Sequence, residues 1–139
     1  MTDCMADTFQ LEIVTPEKMV VRAVAEEMQI PGKDGYLGIL PGHAPLITEL
    51  AVGEIAYRSG PQTHHLAVAW GFAEVLPDKV TILAESAERA DEIDAKRAQE
   101  AKQRAESNLT SSHTEEDFNR VTGDLQRAET RLEVAAKKS

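Results

Sequence analysis

The sequence predicts two parts in series: an all-β sandwich over residues 1–86 and an antiparallel two-helix hairpin over residues 87–139. Three observations carry this. Seven of the eight Gly and all six Pro lie before residue 79. The chain between residues 8 and 84 runs in short stretches of alternating apolar and polar residues, the period of half-buried strands. From Ala87 onward there is no Pro, one Gly (Gly123), and a surplus of Ala, Glu, Lys, Arg and Gln, which are strong helix formers.

The elements follow in order. Phe9, Leu11 and Ile13 alternate with Gln10 and Glu12, and Pro16-Glu17 turns the chain into Met19–Val24. Met28 and Ile30 alternate again before Pro31-Gly32 and the polar loop Lys33-Asp34-Gly35. Further strands are expected at 36–40, 46–50, 54–58, 64–69, 72–76 and 80–84, punctuated by Pro41-Gly42, Val52-Gly53, Ser59-Gly60-Pro61, Trp70-Gly71 and Pro77-Asp78. No helical crossover fits between strands so closely spaced, which favours a sandwich or barrel over a parallel sheet. Trp70, beside Gly71, is expected in the core.

The helical tract divides at Asn108–Ser112. Ser112-x-x-Glu115 and Thr114-x-x-Asp117 both have the spacing that caps a helix start. Each helix is expected to run about 20 residues, roughly 30 Å. Phe118, Val121, Leu125, Ala128, Leu132 and Ala135 mark a narrow seam on the second helix. The facing stripe of Ile93, Ala98, Ala101, Ala105 and Leu109 is mostly Ala and buries little area, so the hairpin is expected to be held weakly.

Charge and composition exclude several classes. The chain of 139 residues holds 15 Lys+Arg and 24 Asp+Glu, a net charge of −9. Residues 1–86 contribute −7 of this and residues 87–139 only −2. Without a basic block there is no general attraction for nucleic acid or anionic lipid. No apolar run reaches the roughly 20 residues of a membrane span. Met1–Asp7 lacks the pattern of a secretory signal, and Met5 offers a second start. A single cysteine, Cys4, excludes an internal disulfide and suits a reducing compartment. His64 and His65, adjacent on a strand, point to opposite faces and cannot chelate one metal. No nucleophile with a readable base and no phosphate-binding glycine loop is present, so the sequence offers no active site.

Charge spacing does offer an anion site. Asp94, Arg97 and Arg104 share a face of the first helix, with Glu88 about one and a half turns before Asp94. Arg127 and Arg131 share a face of the second. In a closed hairpin, Arg97, Arg104, Arg127 and Arg131 would converge on one phosphate group, with Asp94 and Glu88 accepting from a base or sugar. Solvated charge pairs on helix surfaces explain the same spacing.

The stretches Gly35-Tyr-Leu-Gly-Ile-Leu-Pro-Gly-His-Ala-Pro-Leu46, Ala69-Trp-Gly-Phe-Ala-Glu-Val75 and Val80-Thr-Ile-Leu-Ala84 resemble the epsilon subunit of F-type ATP synthases, over about residues 8–137. The resemblance implies a sandwich of about ten strands followed by a helical hairpin. It implies a non-catalytic place in the central rotor stalk, peripheral on the cytoplasmic face of the bacterial inner membrane. The implied partners are the gamma subunit, the ring of c subunits and, with the helices extended, the alpha and beta subunits of the catalytic head. Lys33, Asp34, Tyr36 and His43 are the rotor-contact candidates it suggests, although Tyr36 stands where relatives often carry an acid. Ile93-Asp-Ala-Lys-Arg-Ala98 is similar to the Ile/Leu-Asp-x-x-Arg-Ala signature of epsilon subunits that bind ATP. That implies a nucleotide site of Glu88, Ile93, Asp94, Arg97, Ala98, Arg104, Arg127 and Arg131, with ATP as a regulatory ligand and neither a required cofactor nor a metal. Three readings stand at this point: a rotor subunit that senses ATP, the same subunit with a purely structural hairpin, and a free-standing binding module.

Overall fold

A computed structural model describes residues 7–137. Cys4, Lys138 and the choice between Met1 and Met5 lie outside the described residues. Eight strands come first: β1 (Phe9–Val14), β2 (Met19–Ala25), β3 (Glu27–Gly32), β4 (Gly35–Ile39), β5 (Leu46–Leu50), β6 (Gly53–Ser59), β7 (Gln62–Val75) and β8 (Lys79–Arg89). A single 3-10 turn (Ala90–Glu92) leads to α1 (Ala95–Thr110) and α2 (Glu115–Ala135).

The strands join in the order β2-β1-β8-β7-β5-β3-β4, with β6 pairing both β3 and β7. The 14-residue β7 makes this a sandwich. Its first half pairs with β6, from Ser59↔Gln62 to Gly53↔Val68. Its second half pairs with β5, from Leu50↔Gly71 to Leu46↔Val75. The change of partner falls at Trp70 and Gly71, which have φ of +52° and +124°. The backbone creases there, and the sheet folds over a core that includes Leu11, Ile13, Ile30, Ile55, Leu66, Val75 and Ile82. The expected count of ten strands is therefore corrected to eight among the described residues. Trp70-Gly71, read as a break between 64–69 and 72–76, is a bend within one continuous strand.

Two further differences have physical causes. β1 and β8 pair in parallel, from Gln10↔Lys79 to Val14↔Leu83. A helical crossover is unnecessary because the whole of the intervening sandwich connects them. β8 also continues past residue 84, through Ala67↔Glu88 to Leu66↔Arg89. Cross-strand pairing with the long β7 overrides the helical preference of Ala87-Glu-Arg89. Glu88 therefore stands on a strand, not on the first helix.

Asp94 caps α1, its Oδ1 accepting from the Arg97 N–H at 3.1 Å. α1 has 16 residues and α2 has 21. Of the two capping spacings before α2, the second operates: Thr114 Oγ1 accepts from the Asp117 N–H at 3.0 Å. Ala98 and Ala105 of α1 meet Val121 and Ala128 of α2 as the buried seam. Phe118, expected in that seam, is 51% exposed. It lies in the first turn of α2, and burial on this helix begins only at Val121. Near its other end α2 turns Val134 and Ala135 onto the sandwich, where they form a small second core with Ala67, Ala90 and Ile93.

Candidate functional site, a groove between the helices

Arg104 projects from α1, and Arg127 and Arg131 from successive turns of α2, into one open groove of about 260 Å³. Ala101, Ala105 and Ala128 line it as well, together with Asn108 and Asp124. The small Ala side chains of the seam are what leave room for three guanidinium groups above it. Each is a planar fork suited to phosphate or carboxylate oxygens.

Two of the three are also engaged with the sandwich. Arg131 Nη2 donates to Glu88 Oε2 at 3.2 Å, and its Nε lies 2.7 Å from Glu88 Oε1. The guanidinium carbon of Arg127 sits 5.6 Å from the centre of the Trp70 ring, a cation–π arrangement. The same indole lies against Gly123, where an added Cβ would stand 3.4 Å from Trp70 Cζ2. Trp70 is 38% exposed and belongs to the interface between sandwich and hairpin. The expectation that it is a core residue is corrected accordingly. Its backbone at positive φ aims the ring outward at the crease.

The remaining residues of the expected nucleotide site fall elsewhere. Arg97 is exposed and does not line the groove; it lies seven residues before Arg104, about 10 Å along the axis. The Asp94 carboxylate is occupied in capping. Ile93 is buried against α2, and Ala98 is buried in the helical seam. Glu88 holds Arg131. Asn108, Asp124 and Trp70 are parts of this region that the spacing did not bring out. The glycine in the middle of α2 was the available signal for Trp70, since it marks a close approach.

The loop candidates are separate from the groove. Lys33, in the turn between β3 and β4, pairs with Glu49 of β5 at 3.2 Å. Asp34 is exposed in the same turn. The Tyr36 hydroxyl accepts from the Glu54 N–H at 3.1 Å, and it occupies the space that a side chain at Gly53 would need. His43 Nδ1 lies 2.7 Å from the carbonyl of Ala44.

His64 and His65 face opposite ways. The His64 ring stacks on Tyr57 with centroids 4.9 Å apart. His65 Nδ1 meets Glu54 Oε2, while Glu54 Oε1 accepts from Lys137 at the C-terminal end of α2. The Glu54 carboxylate, through this hydrogen bond, holds the Lys137 ammonium above its ordinary pKa. Burial raises the Tyr57 hydroxyl, and the nearby Arg89 guanidinium offsets part of that rise.

A β-sandwich carrying a docked hairpin with an arginine-lined groove defines a two-part protein, a sandwich with a helical appendage. Residues 8–90 match the family model described as ATP synthase, Delta/Epsilon chain, beta-sandwich domain, and residues 91–136 match that of the long alpha-helix domain. The chain belongs to the ATP synthase epsilon-chain family. It is 72% identical to the ATP synthase epsilon chain of Koribacter versatilis (strain Ellin345), over 80% of this chain and 78% of that one. It is 47% identical to that of Syntrophobacter fumaroxidans, over 96% and 99% of the two chains. A chain in the cryo-EM structure of Euglena gracilis mitochondrial ATP synthase shares the fold, with a TM-score of 0.82 and 22% identity over 98% of this chain and 86% of that one. Among the described residues, no helix is long and apolar enough to cross a membrane.

Proposed function

We propose that this chain is a non-catalytic subunit of the central stalk of a proton-translocating F-type ATP synthase, joining gamma to the c ring at the cytoplasmic face of the bacterial membrane. The hairpin regulates hydrolysis. Docked on the sandwich it is permissive, and extended toward the alpha and beta subunits of the catalytic head it inhibits. ATP in the groove favours the docked form.

The observation that carries this reading is the convergence of Arg104, Arg127 and Arg131 over an alanine-lined groove. Three like charges in one groove repel, and a polyphosphate neutralises them. The triphosphate sits between the helices and ties Arg104 of α1 to the arginine pair of α2. Arg97 and Asp94, farther along α1, lie toward the nucleoside end. A ligand shifts a two-state equilibrium only through its different affinity for the two states. ATP satisfies that condition because an opened hairpin separates Arg104 from Arg127 and Arg131.

One observation favours the alternative, a hairpin that is structural and reads no nucleotide. Glu88 already holds Arg131, and Trp70 already holds Arg127. Calorimetric titration of ATP into the full chain separates the two readings. A saturable heat, reduced more by Arg127→Ala than by Arg120→Ala, supports the sensor; no heat up to millimolar ATP leaves the structural hairpin. Trp70 is the only tryptophan, so its emission reports docking in the same titration. Co-purification with gamma tests the stalk assignment independently.

A further inference from the structure

Asp124 lines the groove between the helices without an ion-pair partner. It precedes Arg127 and Arg131 by three and seven residues on α2, so the three side chains share one face. That spacing offers Asp124 two cations of its own helix, and both are engaged elsewhere. Arg120, four residues before it, pairs with Asp117 at 3.5 Å. Arg127 lies over the Trp70 ring. Among the described residues, no Lys or Arg nitrogen comes within 4.0 Å of the Asp124 carboxylate.

The groove is consequently short of positive charge for a triphosphate. Arg104, Arg127 and Arg131 share it with Asp124, and Glu88 already pairs with Arg131, so three guanidiniums are set against two carboxylates. Arg97 and Asp94, farther along α1, add no net charge. A triphosphate brings more negative charge than this surplus offsets, and a bare carboxylate in the same groove repels it. A divalent cation removes both faults. Magnesium keeps several waters and is held by one or two carboxylates together with phosphate oxygens, a ligand set that needs no cluster of acids. Asp124 and the phosphates supply that set. Asn108, on the α1 wall of the groove, carries an amide oxygen that can accept from a metal-bound water.

We propose that the groove takes ATP as its magnesium complex, with Asp124 as the protein ligand of the cation. The proposal rests on the nucleotide reading above and adds the metal to it. Arg104, Arg127 and Arg131 hold the phosphate oxygens that the metal leaves free, and Asp124 changes from a repelling charge into a ligand. Asp124 therefore sets which form of the nucleotide the hairpin reads. The metal complex binds, and the free anion is disfavoured.

The test is a calorimetric titration of ATP into the full chain at constant ionic strength, once with EDTA and once with excess magnesium chloride. Magnesium should tighten ATP by about tenfold. Asp124→Asn should act in opposite directions under the two conditions. ATP with magnesium should weaken by about tenfold, and ATP with EDTA should tighten by about threefold, because the repelling charge is gone. Glu129→Gln, which changes an exposed acid of α2 outside the groove lining, should alter neither. Manganese in place of magnesium locates the ion by NMR. With ATP present it should broaden the amide resonances of Asn108 and residues 122–125, and the broadening should fade in Asp124→Asn. ATP that binds as tightly with EDTA as with magnesium would overturn the proposal. So would a magnesium gain that survives Asp124→Asn, or broadening centred on Asp94 and Arg97. An absence of heat with and without magnesium would overturn the nucleotide reading itself, and the metal site with it.

Discussion

The Trp70 indole packs against Gly123, so that a single ring from the crease of the sandwich meets α2 where that helix has no side chain. A glycine inside a helix costs up to about 1 kcal/mol relative to Ala. The contact accounts for its presence without requiring it: 3.4 Å from the position of an added Cβ to Trp70 Cζ2 is ordinary van der Waals separation. Gly123→Ala should therefore stabilise α2 by about 0.5–1 kcal/mol while Trp70 stays in place. Gly123→Leu should push the ring out and loosen the hairpin. Helical circular dichroism in a thermal melt checks the first change, and Trp70 emission checks the second. A blue-shifted or unchanged emission in the Leu variant would contradict the wedge.

Gly71 is different in kind. Its φ is +124°, and a Cβ there would stand 2.0 Å from the Leu83 carbonyl oxygen, which belongs to backbone and cannot swing aside. Gly71→Ala should cost at least about 3 kcal/mol of sandwich stability, through strain and separation of β7 from β8. Urea unfolding followed by near-ultraviolet circular dichroism measures it. Gly42, with φ of +85° but nothing within 4 Å of an added Cβ, should tolerate the same substitution far better.

Glycine, proline and alternation made most of the sandwich legible, because they act locally. The continuity of β7 through Trp70-Gly71 was not legible, since a pair at positive φ looks the same in sequence whether it ends a strand or bends one. Ala87-Glu-Arg89 has helical composition, yet pairing with Leu66 and Ala67 keeps it extended, and only the long-range partner reveals this. In the site, the i,i+4 spacing of Arg127 and Arg131 places both on one face. Arg104 joins them through the register of the alanine seam. The Asp94–Arg97 spacing fits a helix cap as well as a ligand pair, and local geometry realises the cap.

Alkaline pH should release the end of the hairpin. The Lys137 ammonium is held above its ordinary pKa chiefly by its hydrogen bond to Glu54. Stability from a raised lysine is fully present below the unfolded pKa, about 10.4, and is lost as pH rises through the folded value. Burial also raises Tyr57, which then loses stability in the same direction as the unfolded hydroxyl ionises near pH 10. Amide exchange of residues 130–137, corrected for the intrinsic rate, should therefore accelerate above about pH 10. Lys137→Gln should be faster already at neutral pH and lose the lysine part of the rise; Tyr57→Phe should lose only the other part. Since Lys137 is largely exposed, the effect should be small and reduced by salt.

Glu88 is the residue at which docking and the proposed nucleotide binding meet. It holds Arg131, whose side chain is only 23% exposed, while Arg131 also lines the groove. Removing the charge with Glu88→Gln should loosen the docked hairpin by about 1–2 kcal/mol, the cost of a half-buried cation left with a weaker partner. The consequence for ATP has the opposite sign. A carboxylate paired with Arg131 competes with the phosphates for that guanidinium, so its neutralisation should tighten ATP about threefold to tenfold. A Glu88 that instead accepts a hydrogen bond from the sugar or base would make the same substitution weaken ATP. Calorimetry of Glu88→Gln beside Arg131→Ala decides between these roles. Tighter binding in the first with weaker binding in the second makes Glu88 the competitor that ATP displaces, and weakening in both puts Glu88 on the nucleotide.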